Sequence, residues 1–149
     1  MQKNLPKNSL KFFTQRCREK RLKITPQRTI IYQELLKSRQ HPNAEKMLAL
    51  VRDKLPNVSL DTVNRTLITF AQIGLVDVVE GRGAPKRYDP DLSPHHHFHC
   101  VECGMIEDFR QEKYDELEIP REIRQKHTVF NKRVVISGLC EQCSNGVRG

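Results

Sequence analysis

The fold is decided by residues 59–89, which read SLDTVNRTLITFAQIGLVDVVEGRGAPKRYD. Ser59 is a typical helix N-cap residue, and Gly74 stands where a helix would end. Between them the apolar residues recur at steps of three, four and three, as on one face of a helix: Leu60, Val63, Leu67 and Phe70. Strand-like segments follow on either side of a basic, glycine-containing stretch, at 75–80 and 86–89. The segment therefore predicts one helix followed by a β-hairpin with a basic tip.

Three further helices are predicted ahead of this segment. The first covers residues 9–22. Thr25-Pro26 favours the start of the second, because threonine caps helices and proline is tolerated at the first helical position. Asn43 can cap the third. Helices followed by a basic hairpin are the order of a winged helix-turn-helix, in which the helix from Ser59 enters the major groove of DNA. On the pattern alone, an ordinary packed helix with a solvated face remains an alternative.

The charge is distributed unevenly along the chain. The 149 residues carry a formal net charge of +8. Residues 1–90 hold 18 Lys and Arg against 8 Asp and Glu (+10), whereas residues 91–149 hold 8 against 10 (−2). A solvated basic surface is one explanation, but the asymmetry favours a nucleic-acid partner for the first part. Seven residues are candidate DNA contacts: Arg28, Ser59, Asp61, Thr62, Asn64, Arg65 and Arg82. Two further basic residues beside the hairpin tip would also lie along the phosphates: Lys86 and Arg87.

The composition disfavours a membrane or secreted protein. No stretch approaches the roughly 18 consecutive apolar residues of a membrane span. The N-terminal residues MQKNLPKNSL also lack the apolar stretch of a secretory signal.

A second, smaller domain is predicted after the proline-containing linker 89–94. We place the boundary so that residues 1–90 form a winged-helix DNA-binding domain and residues 91–149 a small α/β domain. Strands are expected at 98–102, 105–109 and 132–136, around one helix from about 112 to 126 that Pro120 starts or kinks. The fold class is therefore α+β. About 55 residues bury little apolar surface, so the second domain needs a metal, a partner subunit or both.

Four of the five cysteines form two Cys-x-x-Cys pairs: Cys100, Cys103, Cys140 and Cys143. Two such pairs can complete a tetrahedral zinc site, and four thiolates fill its shell, so that the zinc would be structural rather than catalytic. The alternatives are a pair of disulfides, which need an oxidising compartment, or a redox centre, which does not need two pairs. Cys17 is expected to be a buried residue of the first helix.

Histidines cluster directly before the first cysteine pair. In an extended strand His95, His97 and His99 face one side and His96 the other. Carboxylates close to them in the chain or on the next strand can complete a mixed nitrogen and oxygen shell suited to Fe²⁺, Mn²⁺ or Zn²⁺; the candidates are Asp89, Asp91 and Asp108. A solvated histidine run or an added tag is the alternative. A metal at this boundary would fix the angle between the two domains.

Taken together, these segments resemble the ferric uptake regulator family over almost the whole chain. The matching segments are Ile24–Arg28, His41–Ala44, Ser59–Leu67, His95–Cys100 and the two cysteine pairs. The resemblance implies a cytoplasmic, homodimeric repressor that binds palindromic operators when a regulatory metal is present, and not an enzyme. It implies structural zinc at the four paired cysteines. It also implies a regulatory metal, Fe²⁺ or Mn²⁺, held by five ligands: His41, Asp89, His95, His97 and Asp108.

The positions of these ligands relative to Cys100 resemble the peroxide-sensing, PerR-like branch of the family. That branch has an aspartate where this chain has Asp108, and its ligand histidines are oxidised when bound Fe²⁺ meets hydrogen peroxide. Here the resemblance implies His41 and His95 as the oxidation-sensitive residues. A family member that responds only to iron, zinc or manganese supply is the alternative.

Two positions depart from the pattern of many family members. Asn64 stands where they have a tyrosine that contacts thymine, so a different operator is expected. An additional metal site of some iron regulators would need an acidic residue at His96 and a histidine near Lys132, and it is expected to be absent here.

A more distant alternative is a zinc hydrolase or nucleic-acid deaminase, for which Glu102 or Glu107 would be the acid/base.

Overall fold

The computed structural model describes residues 9–79 and 85–147. The chain divides into two compact units, Met1–Ser93 and Pro94–Gly149, which are described separately. Over the described ranges, no helix combines the length and the apolar composition needed to cross a membrane.

Four helices form most of the first unit: α1 Leu10–Glu19, α2 Pro26–Lys37, α3 Ala44–Val51 and α4 Leu60–Gln72. Each begins at a side-chain cap, because Ser9, Thr25, Asn43 and Ser59 each accept the backbone N–H of the residue three positions on. The predicted caps at Thr25, Asn43 and Ser59 are thus confirmed. Helix α1 ends at Glu19 rather than Leu22, because Arg21 adopts a left-handed conformation (φ 54°) and Leu22 N–H bonds back to Cys17 O at 2.8 Å.

A β-hairpin follows α4, as predicted. Gly74 ends the helical segment with φ 76°, a conformation that glycine adopts without strain. Strands β1 Asp77–Val79 and β2 Arg87–Asp89 then pair antiparallel, with Val78 opposite Tyr88. The hairpin tip, including the candidate DNA contact Arg82, lies outside the described residues.

An aromatic cluster is the centre of the first unit's core. The Phe13 ring of α1 stacks on Tyr32 of α2 at 4.8 Å between centroids. Phe70 of α4 meets both rings edge-on at 5.8 Å. Cys17 is also fully buried in this core, as expected, and burial raises the pKa of its thiol. The cluster therefore fixes α4 against α1 and α2.

The second unit contains a three-stranded sheet and three short helices. The strands are β3 His96–Cys100, β4 Ile106–Phe109 and β5 Val135–Gly138, in the order β4-β3-β5. Strand β3 is antiparallel to β4 and parallel to β5. The helices are α5 Glu112–Asp115, α6 Arg121–Lys126 and α7 Glu141–Val147.

Three predictions for this unit are corrected. The strand expected at 132–136 is β5 Val135–Gly138, which starts three residues later and pairs with β3. The single helix at 112–126 is wrong, because α5 ends at Asp115 and α6 begins only at Arg121. Pro120 precedes α6 as its cap residue, so the expectation that this proline starts a helix is confirmed. The strand expected at 98–102 is shifted, because a turn begins at Cys100 and Gly104 N–H bonds to Cys100 O at 2.9 Å. Helix α7, which contains the last cysteine, was not predicted.

The division between the units falls at Ser93 rather than at residue 90. Asp91 N–H bonds to Asp89 Oδ1 and Ser93 N–H to Asp91 Oδ1, both at 2.9 Å. Leu92 packs against the core of the first unit. These contacts attach residues 91–93 to the hairpin strand that precedes them.

Candidate metal centres and DNA-binding helix

The four paired cysteines lie together in the second unit. Their sulfur atoms are all within 4.8 Å of one another, and Cys103 Sγ lies 3.8 Å from Cys140 Sγ. A sulfur–sulfur bond is about 2.0 Å long, so the cysteines are free thiols and not disulfides. In a tetrahedron with zinc–sulfur bonds of about 2.3 Å the sulfurs are about 3.8 Å apart. The spacing therefore fits one zinc ion.

The pKa shifts of Cys100 and Cys143 also favour a bound cation. Backbone N–H groups of Cys103 and Cys140 lower the pKa of Cys100 to about 6. A hydrogen bond to Cys140 and then burial raise the pKa of Cys143 to about 12. The protein alone thus favours the thiolate of Cys100 and opposes that of Cys143. A divalent cation would remove this opposition, because metal binding displaces the remaining protons.

In the first unit, His41 and Asp89 form a buried donor pair. His41 Nε2 lies 3.3 Å from Asp89 Oδ2, and the two residues are 5% and 3% exposed. His41 lies between α2 and α3 with φ 49°, a left-handed backbone that costs a residue with a Cβ about 1–2 kcal/mol. Asp89 is the last residue of β2. A buried imidazole and carboxylate at this spacing can both bind one divalent cation.

A neighbouring arginine holds the backbone around His41. Arg87 Nε donates to His41 O and Arg87 Nη2 to Gln40 O, each at 2.8 Å. Tyr88 N–H donates to Pro42 O at 3.0 Å. Strand β2 therefore carries the carboxylate of the donor pair and also binds the turn that carries its histidine.

In the second unit, His95, His97 and Asp108 form a second donor group. His97 Nε2 lies 3.2 Å from His95 Nε2 and 3.1 Å from Asp108 Oδ1. Strand pairing explains the last contact, since His97 of β3 stands directly opposite Asp108 of β4. Donors that share an ion through bonds of about 2.1 Å lie about 3–3.4 Å apart, so this group also fits a metal.

Arg133 contacts one of these histidines. Its Nε donates to His95 O at 3.1 Å, and its Nη2 lies 3.3 Å from His95 Nδ1. The contact to the His95 carbonyl holds the backbone of this residue, and the His95 Nε2 atom faces His97 Nε2 in the donor group.

His96 faces the other side of β3 and has different partners. Val134 N–H donates to His96 Nδ1 at 3.0 Å, so the ring proton is on Nε2, which donates to Asp115 Oδ1 at 2.7 Å. Both ring nitrogens are therefore used within the fold. Asp91, a candidate carboxylate, accepts instead from Ser93.

The outer face of α4 carries the predicted DNA contacts. Asn64 is exposed, and Arg65 and Asp61 are exposed partners whose Nε and Oδ2 atoms lie 3.1 Å apart. Thr62 Oγ1 accepts from Ser59 Oγ at 3.0 Å, so both hydroxyls are used in the helix cap. Arg28 of α2 donates to Lys23 O at 2.6 Å.

Three residues in contact with the histidines were not predicted in these roles: Arg87, Arg133 and Asp115. Their partners are 46, 38 and 19 residues away in the chain, and no local pattern marks such pairs. Arg87 is predicted above only as a phosphate contact of the hairpin.

The fold and the donor groups together define the class of protein. The first unit is a winged helix, the kind of domain that presents a helix to DNA, and the second is a small α/β domain with a four-cysteine cluster. A model of the ferric uptake regulator family matches residues 19–136. The chain therefore belongs to the ferric uptake regulator family.

Individual relatives are named as peroxide regulators. The chain is 34% identical over 137 residues to the peroxide operon regulator of Bacillus subtilis, covering 92% of this chain and 94% of that protein. It is 33% identical over 122 residues to the peroxide-responsive repressor PerR of Staphylococcus epidermidis, covering 82% and 81%. Its fold resembles the Campylobacter jejuni peroxide stress regulator, with a TM-score of 0.64, 26% identity, and 90% and 98% of the two chains covered.

Proposed function

We propose that this protein is a metal-dependent transcriptional repressor that binds double-stranded operator DNA as a homodimer in the cytoplasm and responds to peroxide. The observation that carries the proposal is the buried His41 and Asp89 pair, because it places metal donors on the same unit as α4. The relatives named as peroxide-responsive regulators support the same function.

We propose that one regulatory ion takes ligands from both units. The pair of the first unit offers two donors and the group of the second unit offers three, so neither alone fills the shell of a divalent cation. Together the five are His41, Asp89, His95, His97 and Asp108. Nitrogen and oxygen donors without thiolates suit Fe²⁺ or Mn²⁺. An ion bound in this way would restrict how α4 is presented to DNA, which couples metal binding to operator binding.

Peroxide would act through the ligand rings. Fe²⁺ held by these ligands would activate hydrogen peroxide for reaction with a ligand ring. The O–O bond would break, one oxygen would be added to a ring carbon, and the other would leave as water, so that the two electrons lost by the ring reduce the peroxide. We propose His41 and His95 as the residues that gain oxygen. An oxidised ring is a poorer nitrogen donor, so each unit would lose its part of the shell and the protein would leave the operator. No side chain is needed as nucleophile or general base, so this function is not enzymatic.

We propose zinc at the four cysteines and a second copy of the chain on the second unit. Among the described residues of that unit, only three histidines and one cysteine are buried, and none of the buried side chains is aliphatic. Large apolar side chains are instead exposed, among them Val135 and Ile136 of β5 at 38% and 42%. Zinc and a partner copy would replace the missing core. Two-fold symmetry of the dimer matches a palindromic operator.

Operator binding with defined metals tests the regulatory proposal. A duplex selected from a randomised library by the Mn²⁺-loaded protein serves as the operator. We expect Mn²⁺ and Fe²⁺ to promote binding, and peroxide to abolish it only with Fe²⁺. Mass spectrometry of the peptides should then show added oxygen at His41 or His95. Fe²⁺-dependent binding that survives peroxide, with unmodified histidines, would instead identify a sensor of metal supply.

The Arg65→Ala variant tests α4 as the recognition helix. If Arg65 contacts a base edge, the variant loses about 1–3 kcal/mol of operator affinity and discriminates less between operator and shuffled duplex. Arg124→Ala on α6 of the second unit removes the same charge from another exposed helix and is the matched control. Equal losses on both duplexes, with a shallower salt dependence, would mark a phosphate contact. Unchanged affinity would contradict the interface.

A further inference from the structure

Arg87 contacts the backbone at and beside a proposed metal ligand, His41. Its guanidinium bridges the carbonyl oxygens of two consecutive residues, Gln40 and His41, at 2.8 Å each. A planar guanidinium has several donors in a fixed arrangement and can bind both oxygens at once, which a lysine ammonium cannot do with the same geometry.

The bridged turn is also the place where the backbone is strained. His41 has φ 49°, and a residue with a Cβ keeps such a conformation only where its surroundings enforce it. Three hydrogen bonds from β2 do so: two from the Arg87 guanidinium, and one from Tyr88 N–H to Pro42 O within the antiparallel β-bridge between Asn43 and Arg87. All these residues belong to the first unit.

Strand geometry connects this contact to Asp89. Residues two apart in a strand face the same side, so Arg87 and Asp89 project from β2 together. One binds the backbone of His41 and the other lies 3.3 Å from its ring. The distance between the two metal donors is therefore set by a rigid, hydrogen-bonded frame.

We propose that Arg87 is a positioning residue for the regulatory metal, which holds His41 and Asp89 at ligand spacing before an ion arrives. The inference rests on the proposed metal-dependent function. It replaces the expectation that this arginine lies along the phosphates. The second unit has a similar contact, since Arg133 Nε donates to His95 O.

A purely electrostatic role and a positioning role of Arg87 predict opposite changes in metal affinity when its side chain is removed. Removing a cation near a cation site favours metal binding by simple electrostatics. Removing a side chain that positions ligands weakens it, by about 10–100-fold for outer contacts of metal ligands. The sign of the change therefore separates the two roles.

The test compares the full-length, zinc-loaded protein with its Arg87→Gln and Arg87→Lys variants. The probe is Mn²⁺, whose free concentration is read from its paramagnetic resonance signal. We expect both variants to bind Mn²⁺ about 10–100-fold more weakly, Arg87→Lys included, because it keeps the charge and loses the bridge. Arg52→Gln, which removes an exposed arginine of the same unit, should bind Mn²⁺ like the wild type.

Operator affinity at saturating Mn²⁺ is the second measurement. If Arg87 is a positioning residue, its variants should bind the operator with close to wild-type affinity once Mn²⁺ is saturating. Such an affinity also shows that the variant is folded. If Arg87→Gln does not fold, Arg87→Lys is used for both measurements. Unchanged or tighter Mn²⁺ binding overturns the inference, as does a loss of operator affinity at saturating Mn²⁺ with a shallower salt dependence. If the wild type shows no metal-dependent operator binding, the proposed function itself fails.

Discussion

Cys140→Ser is expected to remove the zinc and unfold the second unit. Cys140 Sγ lies 3.8 Å from Cys103 Sγ and accepts the Cys143 N–H. The change therefore removes a sulfur atom that contacts two other cysteines of the four-sulfur cluster. Structural zinc contributes about 10–16 kcal/mol to folding in small domains at neutral pH. The described part of this unit has no buried aliphatic side chain to offset such a loss. Metal analysis, far-ultraviolet circular dichroism and sedimentation should show loss of zinc, of sheet signal and of the dimer.

Cys17→Ala is the matched control for this experiment. It removes the one cysteine outside the cluster, which is buried in the first unit's core and is not a zinc ligand. We expect it to retain one zinc per chain and the dimer. A Cys140→Ser protein with the zinc content and thermal unfolding of the wild type would contradict a structural zinc site. In Cys140→Ser, operator binding should be lost together with the dimer, because each half-site of the operator would then bind a single chain alone.

Phe70→Ala is expected to destabilise the first unit by about 3–5 kcal/mol, the usual cost of removing a buried phenylalanine ring. The ring contacts both Phe13 and Tyr32 edge-on, and all three side chains are essentially fully buried. For a unit of this size the loss corresponds to a fall in Tm of more than about 10 °C. Because Phe70 lies on α4, operator affinity should fall as the unit unfolds. Calorimetry and operator binding at a series of temperatures measure both effects.

Leu50→Ala provides the comparison for Phe70→Ala. Leu50 belongs to α3 and is 44% exposed, so its truncation should change stability by no more than about 0.5 kcal/mol. The zinc content of Phe70→Ala should stay unchanged, since the cysteine cluster is in the other unit. Equal stability losses in the two variants would show that the aromatic cluster does not hold α4 in place.

Local features of the chain were predictable because their causes lie within a few residues. The caps at Thr25, Asn43 and Ser59 accept N–H groups three positions on, so a short window contains both partners. The hairpin follows from strand-like segments around turn residues. The four-cysteine cluster followed from two Cys-x-x-Cys pairs, since few other chemistries use both. The helix expected at 112–126 is two helices, because α5 already ends at Asp115 and Pro120 starts α6.

The sequence by itself thus determined the helices of the first unit and the hairpin strands, and it contained the side chains that are proposed as metal donors. Tertiary structure decided how those donors are held. Arg87 could be assigned to the turn at His41, and Arg133 to His95, only once the chain had folded, because residues 46 and 38 positions apart have no shared periodicity. Every residue has a backbone carbonyl, so the residue type does not show which carbonyl accepts a hydrogen bond from a distant arginine. For that reason the sequence predicts Arg87 only as a phosphate contact, whereas in the folded chain its guanidinium binds the carbonyls of Gln40 and His41.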